Sequence, residues 1–254
     1  MPEQTKLFSI ESNLTSRAEM LEVIEAATPA KPVRIATLNA QFFMLARNNT
    51  RFSAALSRMT HTVIDGSGPA ILAKISSRLG FTPAISRYPG ADLVHDIFEK
   101  YADGSRRIML LGGNPGIAEA AAKNLTTRFP QLNIVSATDG GLVDSENPQP
   151  TADQLELINE SRPDILLVGF GAPKQELWID AAKGLPVMVM IGVGGSFGFY
   201  TTKKRAPQWM RGLGLEWLYR GLTEPGHWGR VFQAIILFPL AAIGWLIKRG
   251  ITKS

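Results

Sequence analysis

Four times in this chain a short aliphatic run ends in glycine. Residues 107–111 lead into Gly112-Gly113-Asn114-Pro115-Gly116, and residues 164–168 into Gly169-Phe170-Gly171. Residues 187–191 lead into Gly192-Val193-Gly194-Gly195, and residues 62–64 into Asp65-Gly66-Ser67-Gly68. Runs of Val, Ile and Leu that do not alternate with polar residues are strands buried on both faces, and buried strands of this kind belong to parallel sheets. A parallel sheet needs a crossover after each strand, usually a helix. The stretches between the runs have the length and pattern to supply them, over 40–59 with a break near Asn48-Asn49, 69–79, 91–102, 116–129, 151–161 and from Pro173 onward. Further strands are expected at Val33–Leu38 and over 133–137. Thr15-Ser16 is placed to cap a helix through about residue 27, and residues 1–16 read as weakly structured.

The expected fold is therefore α/β: a Rossmann-like parallel sheet with helices on both faces. In open sheets of this kind ligands bind at the carboxyl ends of the strands, where these glycines lie. Cysteine is absent, which excludes a disulfide framework, a zinc-thiolate site and a cysteine nucleophile. His61, His95 and His227 are scattered and show no metal-ligand spacing. The opening residues, MPEQTKLFSIESNL, put acids and polar groups where a signal peptide has an apolar stretch, so the core is expected to stay in the cytoplasm.

Charge divides the chain. Residues 203–254 hold nine lysines and arginines against Glu216 and Glu224, while the other 202 residues hold 18 basic and 20 acidic ones. The basic end points to an acidic partner there. It closes on residues 231–247, seventeen residues without a charge, between Arg230 and Lys248-Arg249. A membrane span needs about 20 apolar residues, so this run fits a span, an interfacial helix or a buried core helix. Flanking Arg, Lys and Trp are interface anchors and favour the membrane. The expected organisation is a Rossmann-like, nucleotide-binding core over 1–198 and a helical, membrane-associating appendage over 199–254.

Several motifs carry chemistry, each with a plain alternative. Asp65, at a strand end between small residues, suits a general base, although the motif alone favours a turn or a helix cap. Gly112-Gly113 before a helix suits a phosphate; it would also make a simple tight turn. In Gly169-x-Gly171-x-Pro173-Lys174-Gln175-Glu176, a lysine in the first turn opposes the helix dipole, which an anionic ligand would explain. Arg205, Arg211 and Arg220 could clamp a diphosphate or face anionic lipid. No Asp-x-Asp occurs.

In this order the motifs resemble the WecG/TagA/CpsF family of bacterial glycosyltransferases. The resemblance rests on Thr37-Leu38-Asn39, Asp65-Gly66-x-Gly68, Arg87-x-x-Gly90-Ala91-Asp92-Leu93, Leu111-Gly112-Gly113, Gly169-x-Gly171-x-Pro173-x-Gln175-Glu176, Gly192-Val193-Gly194 and Arg205-Ala206-Pro207-x-Trp209-Met210, and covers about residues 33–230. It implies an inverting, metal-independent enzyme that moves a hexose-type sugar from a UDP-sugar to a polyprenyl-diphosphate-linked saccharide. The setting would be surface-polysaccharide biosynthesis, at the cytoplasmic face of the bacterial inner membrane. No cofactor, metal or nucleic acid is expected; membrane lipids are, and a homo-oligomer is left open. By position Asp65 resembles the catalytic base, with Thr37 and Asn39 beside the donor sugar. Gly112, Gly113, Gly171, Lys174, Gln175, Glu176 and Gly194 resemble the nucleotide-sugar wall, and Arg205, Arg211 and Arg220 the diphosphate ligands. The chain departs from the pattern at Gly198, where the family carries an acid, and over 226–229. A non-catalytic nucleotide-sugar-binding membrane module is the alternative, and the missing acid at position 198 is its support.

Overall fold

The computed structural model describes residues 5–8, 10–223 and 228–251. Its centre is a six-stranded, all-parallel sheet. The strands are β3 (Val33–Leu38), β4 (His61–Ile64), β5 (Ile108–Gly112), β6 (Ile134–Thr138), β7 (Ile165–Gly169) and β8 (Val189–Gly192), in the spatial order β4-β3-β8-β7-β5-β6. Residues along each inner strand alternate between two cores. Met109, Leu111, Leu166, Val168 and Met190 enter one; Ile108, Leu110, Ile165, Leu167 and Ile191 enter the other. Both faces are covered, which is why the strands read as unbroken aliphatic runs.

The first face is covered by α2 (Ala40–Asn48), α3 (Thr50–Ser57), α4 (Ser67–Arg78), α7 (Ala152–Ser161) and α8 (Lys174–Ala181). The second is covered by α1 (Arg17–Glu25), α5 (Gly90–Lys100), α6 (Ile117–Arg128) and a 3-10 helix over Gly194–Tyr200. The helix starts follow local chemistry. Ser16 and Glu19 form a capping box at α1, and Thr151 and Gln154 another at α7. The break expected near residues 48–49 falls at Asn49, whose side chain caps α3 as Asn39 caps α2.

Two expectations shift. The start of the chain carries structure: β1 (Thr5–Leu7) and β2 (Ile10–Ser12) form an antiparallel pair, and Leu7, Phe8 and Ile10 are buried in the first core. The last strand begins two residues later than expected, with Val187 already buried ahead of it.

Beyond the 3-10 helix come α9 (Gln208–Gly212), α10 (Glu216–Thr223), α11 (Trp228–Phe232), a π-helical turn over Gln233–Leu237 and α12 (Phe238–Ile251). The departure from the family pattern over 226–229 begins outside the described residues, as does His227. α12 is not detached from the core. Phe238 and Ala242 are buried in the first core, where the Phe238 ring meets Phe8 and Phe43 and the Trp245 ring meets Phe8 and Phe81.

Candidate active site

Sheet order reverses direction between β3 and β8. β3 leads to α2 and then outward to β4, while β8 leads into the 3-10 helix that packs on α6. Such a switch point opens a crevice at the carboxyl ends of the strands. Here it is a cleft of about 1000 Å³, lined by the turns after β3, β4, β5, β7 and β8 and closed by side chains from 199–220 and 231–239.

Asp65 is partly buried in the cleft wall, at the end of β4. Its Oδ1 accepts the Gly90 N–H at 2.9 Å, and its carbonyl accepts Arg87 Nε at 2.7 Å. Burial pushes the carboxyl above the ordinary aspartate range; the Gly90 N–H and the charge of Arg87 pull it back, Glu216 raises it, and Arg220 lowers it. Gly90 can come this close because it has no side chain: a Cβ there would stand 3.0 Å from Thr37 Cγ2. Thr37 donates its hydroxyl to the Gly192 carbonyl at 3.1 Å, joining β3 to β8 beside the acid. Asn39 uses its Oδ1 to cap α2, accepting from Gln41 and Phe42, and its residue lines the cleft.

The opposite wall is set by Gln175. Its Oε1 accepts two backbone N–H groups, Gly171 at 3.0 Å and Gly194 at 2.9 Å, so one side chain fixes the turns after β7 and β8. Its Nε2 donates to Glu176 Oε1 at 2.6 Å. Glu176 is 0 % exposed, and its Oε2 has no hydrogen-bond partner among the described residues. Burial pushes this carboxyl up to about 8, against the lowering effect of the Gln175 hydrogen bond. Gly192 permits the arrangement, since a Cβ there would lie 2.7 Å from Glu176 Oε1.

The residues singled out in the sequence separate into two groups. Asp65, Thr37, Asn39, Gly113, Gly171, Lys174, Gln175, Gly194 and Arg220 reach the cleft. Gly112, Glu176, Arg205 and Arg211 stand behind it. Gly112 packs flat on Gly169 of the neighbouring strand. Arg205 Nη1 pairs with Asp92 at 2.7 Å and its guanidinium lies over Phe199, with Arg211 Nη1 3.8 Å from the same Asp92. Gly198, the point of departure from the family pattern, lies under the Lys203 stem; a Cβ at 198 would be 2.7 Å from Lys203 Cδ.

One residue was passed over. Arg87 holds the Asp65 carbonyl, donates to the Arg211 carbonyl at 3.3 Å and stands 3.5 Å from Glu216 Oε2, so it joins the acid to the C-terminal region. Its place in the Arg87-x-x-Gly90 motif was the available signal. Ser67 adds a second tie, donating to the Gly214 carbonyl at 2.7 Å.

The model for the "Glycosyl transferase WecG/TagA/CpsF family" matches residues 5–251. A Staphylococcus aureus (strain MRSA252) N-acetylglucosaminyldiphosphoundecaprenol N-acetyl-beta-D-mannosaminyltransferase is 31% identical over 250 residues, 96% of this chain and 94% of its own length. A protein of the same name from Bacillus spizizenii is 31% identical over 226 residues, 88% of this chain and 84% of its own. The chain belongs to the WecG/TagA/CpsF family of glycosyl transferases.

Proposed function

We propose that this chain is an inverting, metal-independent hexosyltransferase that moves a sugar from a UDP-sugar to a polyprenyl-diphosphate-linked saccharide during surface-polysaccharide biosynthesis. The observation that carries the reading is Asp65: a carboxylate in the cleft wall, held by one backbone N–H and biased by burial toward holding a proton. In the reaction the acceptor hydroxyl oxygen attacks the anomeric carbon as the bond from that carbon to the UDP oxygen breaks. Asp65 takes the hydroxyl proton, and UDP leaves with the bonding electrons.

Negative charge grows on the departing diphosphate. Lys174, Lys203 and Arg220 line the cleft and are placed to meet it. Arg205 stands behind this wall, its Nη1 paired with Asp92 at 2.7 Å and its Nε 4.0 Å from Glu216 Oε1, so its part in this reading is to hold the C-terminal helices against the cleft. In this reading residues 1–198 are the catalytic core, and residues 199–254 complete the site and attach the enzyme to lipid at the cytoplasmic face of the inner membrane.

The test is a panel of UDP-sugars offered with a lipid-diphosphate monosaccharide, with and without a chelator, followed by assignment of the product's anomeric configuration. Inversion and undiminished turnover with chelator are expected. Retention of configuration or full chelator inhibition would overturn the mechanism, and no transfer from any donor would overturn the activity.

A further inference from the structure

The cleft continues into an apolar surface that the reaction does not use. α4 and α12 lie side by side and run in the same direction. Gly68, at the start of α4, meets the Phe238 ring at the start of α12, where a Cβ at 68 would lie 3.2 Å from the ring. Past the end of α4, Phe81 meets Trp245, and Arg249 lies over both rings. Both helices therefore begin at the cleft, which Ile71 and Pro239 line. Both expose large aliphatic residues along their length: Ile71 61%, Ile75 39% and Leu79 52% on α4, and Leu240 65%, Ile243 55% and Ile247 59% on α12. Ile71, Ile75 and Leu79 recur every four residues, which puts them on one helix face. Exposed apolar surface of this extent on a folded chain marks an interaction site. Lys74 and Arg78 on α4, and Lys248 and Arg249 on α12, supply cations at the same helices, the complement of an anionic headgroup layer.

The orientation of α12 follows from its other side. A helix that crosses a bilayer has lipid all round it. α12 buries Phe238 to 2% exposure in the core under the sheet, so a spanning pose would strip that ring from Phe8 and Phe43. We infer that α4 and α12 together form one bilayer-docking face, on which the protein rests with α12 in the membrane plane and the cleft mouth opening at the lipid surface. α4 is then a second membrane element, inside the catalytic core and starting two residues after Asp65. The inference gains its purpose from the reading of a lipid-linked acceptor, but its test needs no acceptor.

The chain has no cysteine, so single-cysteine reporters can be placed on the full-length protein without background. The first experiment measures partition onto vesicles of phosphatidylglycerol and phosphatidylcholine. Ile75→Asp with Leu79→Asp should lower partition about tenfold or more, while turnover of a water-soluble, short-chain acceptor analogue stays unchanged. Ile75→Ser with Leu79→Ser, a milder pair at the same exposed positions, should give a smaller fall and guards against misfolding. Wild-type partition by both pairs, with the fold intact by circular dichroism, would overturn the role of α4. The second experiment places fluorescent labels at Phe232→Cys and Ile247→Cys and measures depth by lipid-borne quenchers. A helix in the plane gives both labels the depth of the headgroup boundary. A crossing helix separates them by about 20 Å, and that result would overturn the orientation. Vesicle binding that depends on α4 without transfer from any donor would leave this inference standing and remove the proposed activity.

Discussion

Asp65 and Glu176 are both carboxylates raised by burial, on opposite sides of one cleft, yet they are built for different work. Asp65 ends a strand in the cleft wall, takes one backbone hydrogen bond and feels two arginines and a glutamate. Glu176 sits one layer behind, wholly enclosed, touching Gln175 and little else that is polar. The first can exchange a proton with a bound molecule. The second accepts from Gln175 Nε2 and so orients the amide whose oxygen grips the turns at Gly171 and Gly194. Burial alone therefore does not identify a catalytic acid; what the carboxyl faces does.

The largest effect that could break this contrast is at Asp65. Asp65→Asn should lower transfer by about 10²–10⁴-fold, the span of a general base, while UDP binding measured by calorimetry persists. Turnover near wild type would make Asp65 another structural acid. Its ionised form is the working one and its pKa is raised, so kcat/KM should climb with pH on a limb above the ordinary aspartate range. A limb at the ordinary position would contradict the burial described above.

At Glu176 the expected effect is on stability. A carboxyl whose folded pKa is raised to about 8 from an ordinary 4.5 gives stability that is full below pH 4.5 and lost as pH rises through 8. Unfolding free energy should fall by a few kcal/mol across that window, and Glu176→Gln should remove the slope in denaturant titrations, with kcat within a few-fold of wild type. A thousandfold loss of kcat in Glu176→Gln would give it a chemical role.

Gln175→Ala should come next. It frees two backbone N–H groups at the cleft wall and should raise KM for the donor about tenfold, the equivalent of one lost hydrogen bond, with a smaller change in kcat. The smallest effect is expected at Asp92→Asn, which weakens the partly exposed pair with Arg205 and should cost less than about 1 kcal/mol in thermal unfolding.

The same contrast marks how far the sequence could be read. Asp65 was singled out as a base by its place in the family pattern; on its own, an acid between a strand end and glycines reads first as a turn or helix cap. The sheet was legible because strands covered on both faces need aliphatic residues at every position. The separate duties of Gln175 and Glu176 were not, since adjacent residues on a helix point in different directions and only the packing of β8 decides which faces the cleft. Charge left Arg205 and Arg211 between a diphosphate and anionic lipid, and the resemblance chose the diphosphate, while Asp92 of α5, more than a hundred residues earlier, is the partner that holds them in the structure. The β1–β2 pair was missed because three-residue strands leave no periodicity, although Leu7, Phe8 and Ile10 are deep in the core.

Arg87 carries a consequence for inheritance. One guanidinium touches the carbonyl of the proposed base, the carbonyl of Arg211 and the carboxylate of Glu216. A change at 87 leaves Glu216 near Asp65 with only the longer 4.0 Å pair to Arg205, and a change at 216 takes from Arg87 the carboxylate it stands 3.5 Å from. The two positions are 129 residues apart in the chain, yet selection would see them as one character. Chimeras that join a core from one relative to the C-terminal helices of another should survive when the 87–216 pair is transplanted whole and fail when it is split.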